Sequence, residues 1–413
     1  MIHFERFTLD NGLTVLFHQD KSTPLVAVNT LYKVGARDEN PDKTGFAHLF
    51  EHLMFGGSKH IPDFDTPLQA VGGENNAFTN NDITNYYITL PKQNIETALW
   101  LESDRMLELA FTPESLEVQR KVVIEEFKQN YLNQPYGDVW HILRKMAYKV
   151  HPYRWPTIGK DISHIENATM DDVKAFFYKY YRPNNAVLCI AGDLTLNEVK
   201  ELVEKWYADI PKGEKTAHQY PQEPTQNEPG REEVERDVPL NAFYRVYHME
   251  GKNDAGYQAT DLLSDILSHG ESSRLKQHLV YEKRIFNELS AYVTGSFDPG
   301  LFVISGKLNE GISFDEAEKA IDDELADLQQ NKVKEEELQK VKNKIISLQK
   351  FGEIHILNKA MALAINESLG DANRINTEID LYKKVTVEDI QNQAKKIFKP
   401  ENSSTLIYKA KNK

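Results

Sequence analysis

The feature that most constrains this chain is an internal repeat. Residues 112–129, TPESLEVQRKVVIEEFKQ, match residues 334–351, KEEELQKVKNKIISLQKF. A match at a distance of ~220 residues means two copies of a domain and excludes a solenoid of short units. Between the copies, Pro211, Pro221, Pro224, Pro229 and Pro239 punctuate a stretch with few large apolar residues, which reads as a linker. Strand-like and helical patterns recur on both sides of it. Asn11-Gly12 precedes an apolar run, a strong turn signal. NAFTNNDITNYYITL reads as a hairpin. Thr112-Pro113 opens a helix with a good cap, which should run to about Asn133. The expected class is α+β: two homologous domains, 1–212 and 237–413, joined by a linker, 213–236, each a mainly antiparallel sheet covered by helices.

Composition narrows the function. A formal charge of −14 argues against nucleic acid as the main partner, because phosphate binding needs a basic face. The single cysteine, Cys189, excludes intrachain disulfides and sits in AVLCIAG, where a packed, inert thiol is expected. No apolar run approaches the ~18 residues needed to span a bilayer. The N-terminal residues lack a signal core, so the expected compartment is the cytoplasm, or the periplasm if a leader has been removed.

Chemistry concentrates in residues 46–57, FAHLFEHLMFGG. Residues four apart share one helix face, so His48 and His52 can share one ion. Leu49, Phe50, Leu53 and Met54 fall on the other side, toward a core, and Gly56-Gly57 can end the helix. With 13 histidines and 63 acidic residues, H-x-x-E-H would arise at random less than about 0.06 times in this chain. The spacing is the inverse of H-E-x-x-H: two metal ligands, with Glu51 beside the second. A catalytic zinc usually takes three protein ligands. Glu125 and Glu126, in the capped helix, are candidates for the third, and they lie about 100° apart, so only one can point at the ion. The local pattern does not choose between them.

The H-x-x-E-H motif, followed by GGENNAFTNNDITNYY, RKVVIEE and YYRPNNAVLCIAGDL in that order, resembles the pitrilysin family of inverzincin peptidases. The similarity is greatest to mitochondrial processing peptidase and its small two-domain bacterial relatives, and it extends over nearly the whole chain. The resemblance implies one Zn2+ per chain held by His48, His52 and Glu126, with Glu51 as general base. It also implies an edge strand at Asn76, Ala77, Phe78 and Thr79 that takes an extended peptide by strand addition.

Two departures from the family pattern bear on partners. The second domain of such enzymes carries an Arg, and a Tyr seven residues later, that reach the zinc site. The matching positions here are Val280 and Asn287, and only a shifted register would recruit Tyr281, Arg284 or Tyr292. The second repeat also lacks metal residues: Asp261–Asp265 stands opposite HLFEH, and Leu348-Gln349, one residue past the ungapped match, opposite Glu125-Glu126. The expected protein is therefore a zinc metalloendopeptidase subunit. It would pair with a second two-domain chain, either a paralogue that supplies the Arg/Tyr pair or a copy of itself, to enclose peptides in a chamber. The alternatives are a non-catalytic structural subunit, against which the intact ligand set speaks, and a non-peptidase use of the site, against which the edge strand speaks.

Overall fold

The computed structural model describes residues 1–411. The first sheet contains β1 (Glu5–Thr8), β2 (Thr14–Gln19), β3 (Leu25–Tyr32), β4 (Glu74–Thr79), β5 (Thr84–Pro91) and β6 (Ala186–Gly192), in the order β1-β2-β6-β3-β5-β4. Its centre is the apolar run AVLCIAG, buried along its full length as β6 between β2 and β3. Burial pushes the Cys189 thiol far up, so it is inert. The hairpin read from NAFTNNDITNYYITL is β4–β5, and β4 forms one outer edge of the sheet.

The second sheet contains β7 (Gly230–Arg236), β8 (Ala242–His248), β9 (Phe286–Val293), β10 (Leu301–Leu308) and β11 (Ser403–Ala410), in the order β7-β11-β8-β10-β9. In each sheet the first strand of the repeat pairs in parallel with the last, and every other pairing is antiparallel. Setting β1 aside, β2, β6, β3, β5 and β4 correspond in order and direction to β7, β11, β8, β10 and β9. The duplication seen in the helices is therefore a duplication of sheet topology.

The compact units are not the continuous segments that the sequence suggested. One unit is Met1–Asn130 with Trp155–Pro221 and Gln349–Thr377; the other is Tyr131–Arg154, Gln222–Leu348 and the chain from Glu378 onward. Helix Ile356–Ser368, from the second half of the sequence, packs on β2, β3 and β6 through Ala360, Leu363 and Ala364. Lys359 binds Asp20 at 2.5 Å, and Arg6 binds Glu367 at 2.9 Å. Reciprocally, helix Val139–Ala147, from the first half, buries Val139, Leu143 and Ala147 against Ala242, Val246, Leu406 and Tyr408 of the second sheet. Residues 213–236 are also not all linker, because their last seven form β7. No helix among the described residues is long and apolar enough to cross a membrane.

Candidate metal centre

Helix Phe46–Leu53 starts from Gly45, whose φ of +89° is left-handed. A Cβ there would lie 2.7 Å from the Ile158 carbonyl oxygen, so glycine is required twice over. A helix leaves its first N–H groups without partners. Here the buried Glu39 carboxylate accepts from the Gly45 N–H at 2.9 Å and the Ala47 N–H at 2.8 Å. The Trp155 indole N–H donates to the same carboxylate at 3.1 Å. Burial pushes Glu39 up to about 8, against the pull of these three donors. His164 Nδ1 lies 3.0 Å from the Thr44 N–H and 2.9 Å from its hydroxyl, which secures the residue before Gly45.

One face of the helix buries Leu49, Phe50 and Leu53. The Phe50 ring stacks on Tyr181 with centroids 5.0 Å apart, and the Tyr86 hydroxyl donates to the Phe50 carbonyl at 3.3 Å. The opposite face carries His48, Glu51 and His52. The helix stops at Leu53, ahead of Gly56-Gly57, and Gly57 takes the left-handed turn at φ +97°.

Glu126 comes from helix Pro113–Phe127, where the Thr112 hydroxyl accepts from the Ser115 N–H at 3.1 Å as the sequence predicts. The α-helix ends earlier than expected. It passes at Lys128 into a π-helical turn, Lys128–Leu132, directly after Glu126. Glu126 faces the histidine helix, whereas Glu125 points to solvent and pairs with Lys128 at 2.8 Å. The position of the helix thus brings Glu126, and not Glu125, to the two histidines.

The His48 and His52 Nε2 atoms are 3.3 Å apart, and Glu126 Oε2 is 3.6 Å from each. Four ligands about 2.05 Å from a tetrahedral zinc stand about 3.3 Å from one another, so this near-equilateral triangle has the size that the ion demands. His48, His52 and Glu126 form the one group of three or more metal-capable side chains among the described residues. Burial pushes His48 down and so favours the neutral imidazole that a metal needs, although Glu126 opposes it. Contact with His52 holds the Glu126 carboxyl below the usual range, so it is an anion. Glu51 is half-buried, and its charge is felt by His48, Tyr86 and Tyr181.

Asn76, Ala77, Phe78 and Thr79 lie on β4, which packs beside the histidine helix. Asn76 sits within the strand, opposite Tyr87, and is not a turn residue. Its Oδ1 accepts from the Ala77 N–H at 2.8 Å. In the second unit, helix Tyr257–Ser268 also follows a left-handed glycine, Gly256, at φ +98°. Counted from that glycine, His48, Glu51 and His52 correspond to the buried Ala259, Leu262 and Leu263. That register lies two residues before the sequence match, and neither register supplies a histidine. Val280 packs against the second core, and Asn287 is exposed on β9.

Sequence reasoning missed Glu39, Trp155 and the role of His164. Glu39 stands in a polar loop, and nothing in its local pattern signals burial.

Two family models match in sequence order: Insulinase (Peptidase family M16) over residues 14–161, and Peptidase M16 inactive domain over residues 167–345. The Helicobacter pylori zinc protease PqqE is 30% identical, over 98% of this chain and 92% of its own length. The uncharacterized zinc protease YmxG of Bacillus subtilis is 24% identical over 98% of each chain. A crystal structure of a protease from Helicobacter pylori superposes with a TM-score of 0.93 at 29% identity, covering 99% of this chain and all of that one. In repeat order, sheet topology and full-length similarity, this chain is a two-domain member of peptidase family M16.

Proposed function

We propose that this chain is a zinc-dependent endopeptidase subunit, with His48, His52 and Glu126 as metal ligands and Glu51 as general base. The observation that carries this reading is the 3.3–3.6 Å triangle of donor atoms, matched in size and charge to a tetrahedral divalent ion. When bound, zinc lowers the pKa of water toward ~7 and polarises a carbonyl. The protein supplies the rest. His48 and His52 offer ring nitrogens from one helix face, and Glu126 brings the negative charge. Glu51, one residue before His52, takes the proton of the attacking water and hands it to the leaving amine. Asn76–Thr79, on an outer sheet edge beside the helix, hold an extended peptide through main-chain pairing.

The substrates are peptides or small unfolded chains enclosed in a chamber. This chain builds the chamber with a second two-domain subunit, and the absence of an Arg at Val280 and a Tyr at Asn287 favours a paralogue that supplies them. The test is zinc content and peptidase activity of the purified chain, with and without the candidate partner. One zinc per chain, with activity that rises on adding the partner, supports the reading. A wild type that takes up no zinc sinks it, and full activity from a homodimer sinks the paralogue.

A further inference from the structure

We propose that Glu39 is a positioning residue for this zinc site, one that sets the pose of helix Phe46–Leu53 and so the placement of His48 and His52 relative to Glu126. The inference rests on the zinc reading above. The helix has only eight residues, and the Glu39 carboxylate accepts from the N–H groups of Gly45 and Ala47, at 2.9 and 2.8 Å. Ala47 is the residue directly before His48. Hydrogen bonds from two helix N–H groups to one buried side chain, out of water, are among the stronger restraints that a side chain can apply. Glu39 is itself held by the Trp155 indole, so the anchor does not depend on the helix that it restrains.

The second repeat provides an internal comparison. Glu250 also stands six residues before a left-handed glycine, Gly256, and is also buried. Its carboxylate is bonded to the Thr260 hydroxyl at 3.1 Å and to Lys396, and the helix that follows carries no metal ligand. The carboxylate is thus turned onto the helix main chain in the repeat whose helix bears the histidines. Metal affinity depends on ligands held in place before the ion arrives, and second-shell groups typically tune it by 10–100-fold.

The test compares Glu39→Gln with Glu250→Gln, reading zinc affinity by competition with a chromophoric chelator and fold by thermal melting. A carboxamide keeps the volume but sets an NH2 against N–H donors. Glu39→Gln is expected to weaken zinc about 10-fold, whereas Glu250→Gln, with a comparable loss of buried bonding, leaves zinc affinity at the wild-type value. Trp155→Phe, which removes the indole N–H shared by Glu39 and the Ala36 carbonyl together with part of a buried ring, is expected to shift affinity in the same direction as Glu39→Gln and by less. The proposal is overturned if Glu39→Gln binds zinc like wild type, or if the two Gln variants weaken it equally. Should Glu39→Gln fail to fold, wild-type affinity in folded Trp155→Phe overturns it instead. A wild type that binds no zinc fails the parent reading; normal wild-type binding with an unchanged Glu39→Gln fails this inference alone.

Discussion

Glu125 and Glu126 are neighbours in sequence and serve opposite surroundings. Glu126 Oε2 lies 3.6 Å from the Nε2 atoms of both His48 and His52, while Glu125 reaches Lys128 at 2.8 Å in solvent. Replacing each in turn separates a ligand from a surface charge. Glu126→Gln should weaken zinc binding by more than about 100-fold, since even second-shell changes cost up to that much. Glu125→Gln should leave metal content unchanged, because exposed pairs contribute little. Equal zinc loss in both variants, measured by chelator competition, would remove Glu126 from the ligand set.

Glu51 shares a helix face with the histidines but belongs to the proton path. Glu51→Gln should keep zinc at the wild-type level and lower kcat by about 10²–10⁴-fold, the usual contribution of a positioned base. Metal analysis beside steady-state kinetics checks this. A Glu51→Gln enzyme that has lost its metal would identify Glu51 as a ligand, and one that retains full activity would end its assignment as base.

The edge position of β4 predicts that substrate is held by its backbone. Peptides N-methylated at single amides near the scissile bond lose a main-chain donor while keeping every side chain. Each lost bond should lower kcat/KM by about 10-fold, corresponding to ~1.4 kcal/mol, at alternate positions only, following the two-residue period of a strand. A uniform effect along the peptide, or none, would argue against strand addition.

The ion pair of Asp20 and Lys359 joins β2 to a helix more than 300 residues later in the chain. Burial opposes ionisation of Asp20, but Lys359 and Ser22 outweigh it and hold the carboxyl far below its usual range. A carboxyl depressed in the folded state binds fewer protons there than in the unfolded chain. Its stabilisation is complete above the ordinary Asp value of about 4 and is lost as pH falls below it. Lys359→Met removes the cation and leaves the buried carboxylate with its Ser22 donors, and should destabilise the protein by about 1–3 kcal/mol at pH 7. Its deficit should shrink below about pH 4, where Asp20 is protonated in the unfolded chain. Denaturant melts of both proteins at pH 7 and pH 3.5 measure it; a deficit that does not depend on pH would show that Lys359 acts by packing alone.

Much of the site could be read from local pattern, because its chemistry is local. The i, i+4 histidines, the apolar face of their helix and the Thr112 cap depend on residues a turn or so apart. The choice between Glu125 and Glu126 could not be read locally, since 100° of helix rotation is meaningful only once the neighbouring helix is in place. The same limit hid Glu39, whose bonds reach across a loop to Gly45, Ala47 and Trp155. At the level of fold, the repeat and its sheets were visible. The destination of helix Ile356–Ser368 was not, because an apolar stripe states that a helix must be covered and leaves open which sheet covers it. The boundaries read from sequence, 212 and 237, carry no sign of that exchange for the same reason.

That exchange has a consequence for biogenesis. Chains emerge from the ribosome N-terminus first, and domains generally fold as units in that order. Here the first sheet waits for a helix that ends at Ser368, and the second sheet has held its helix, Val139–Ala147, ready since long before its own strands were made. Neither half can be completed while the other is missing, so quality control sees one late, all-or-none event rather than two early ones. A chain interrupted before its final tenth would leave the histidine helix resting on a sheet with one apolar face still open to water.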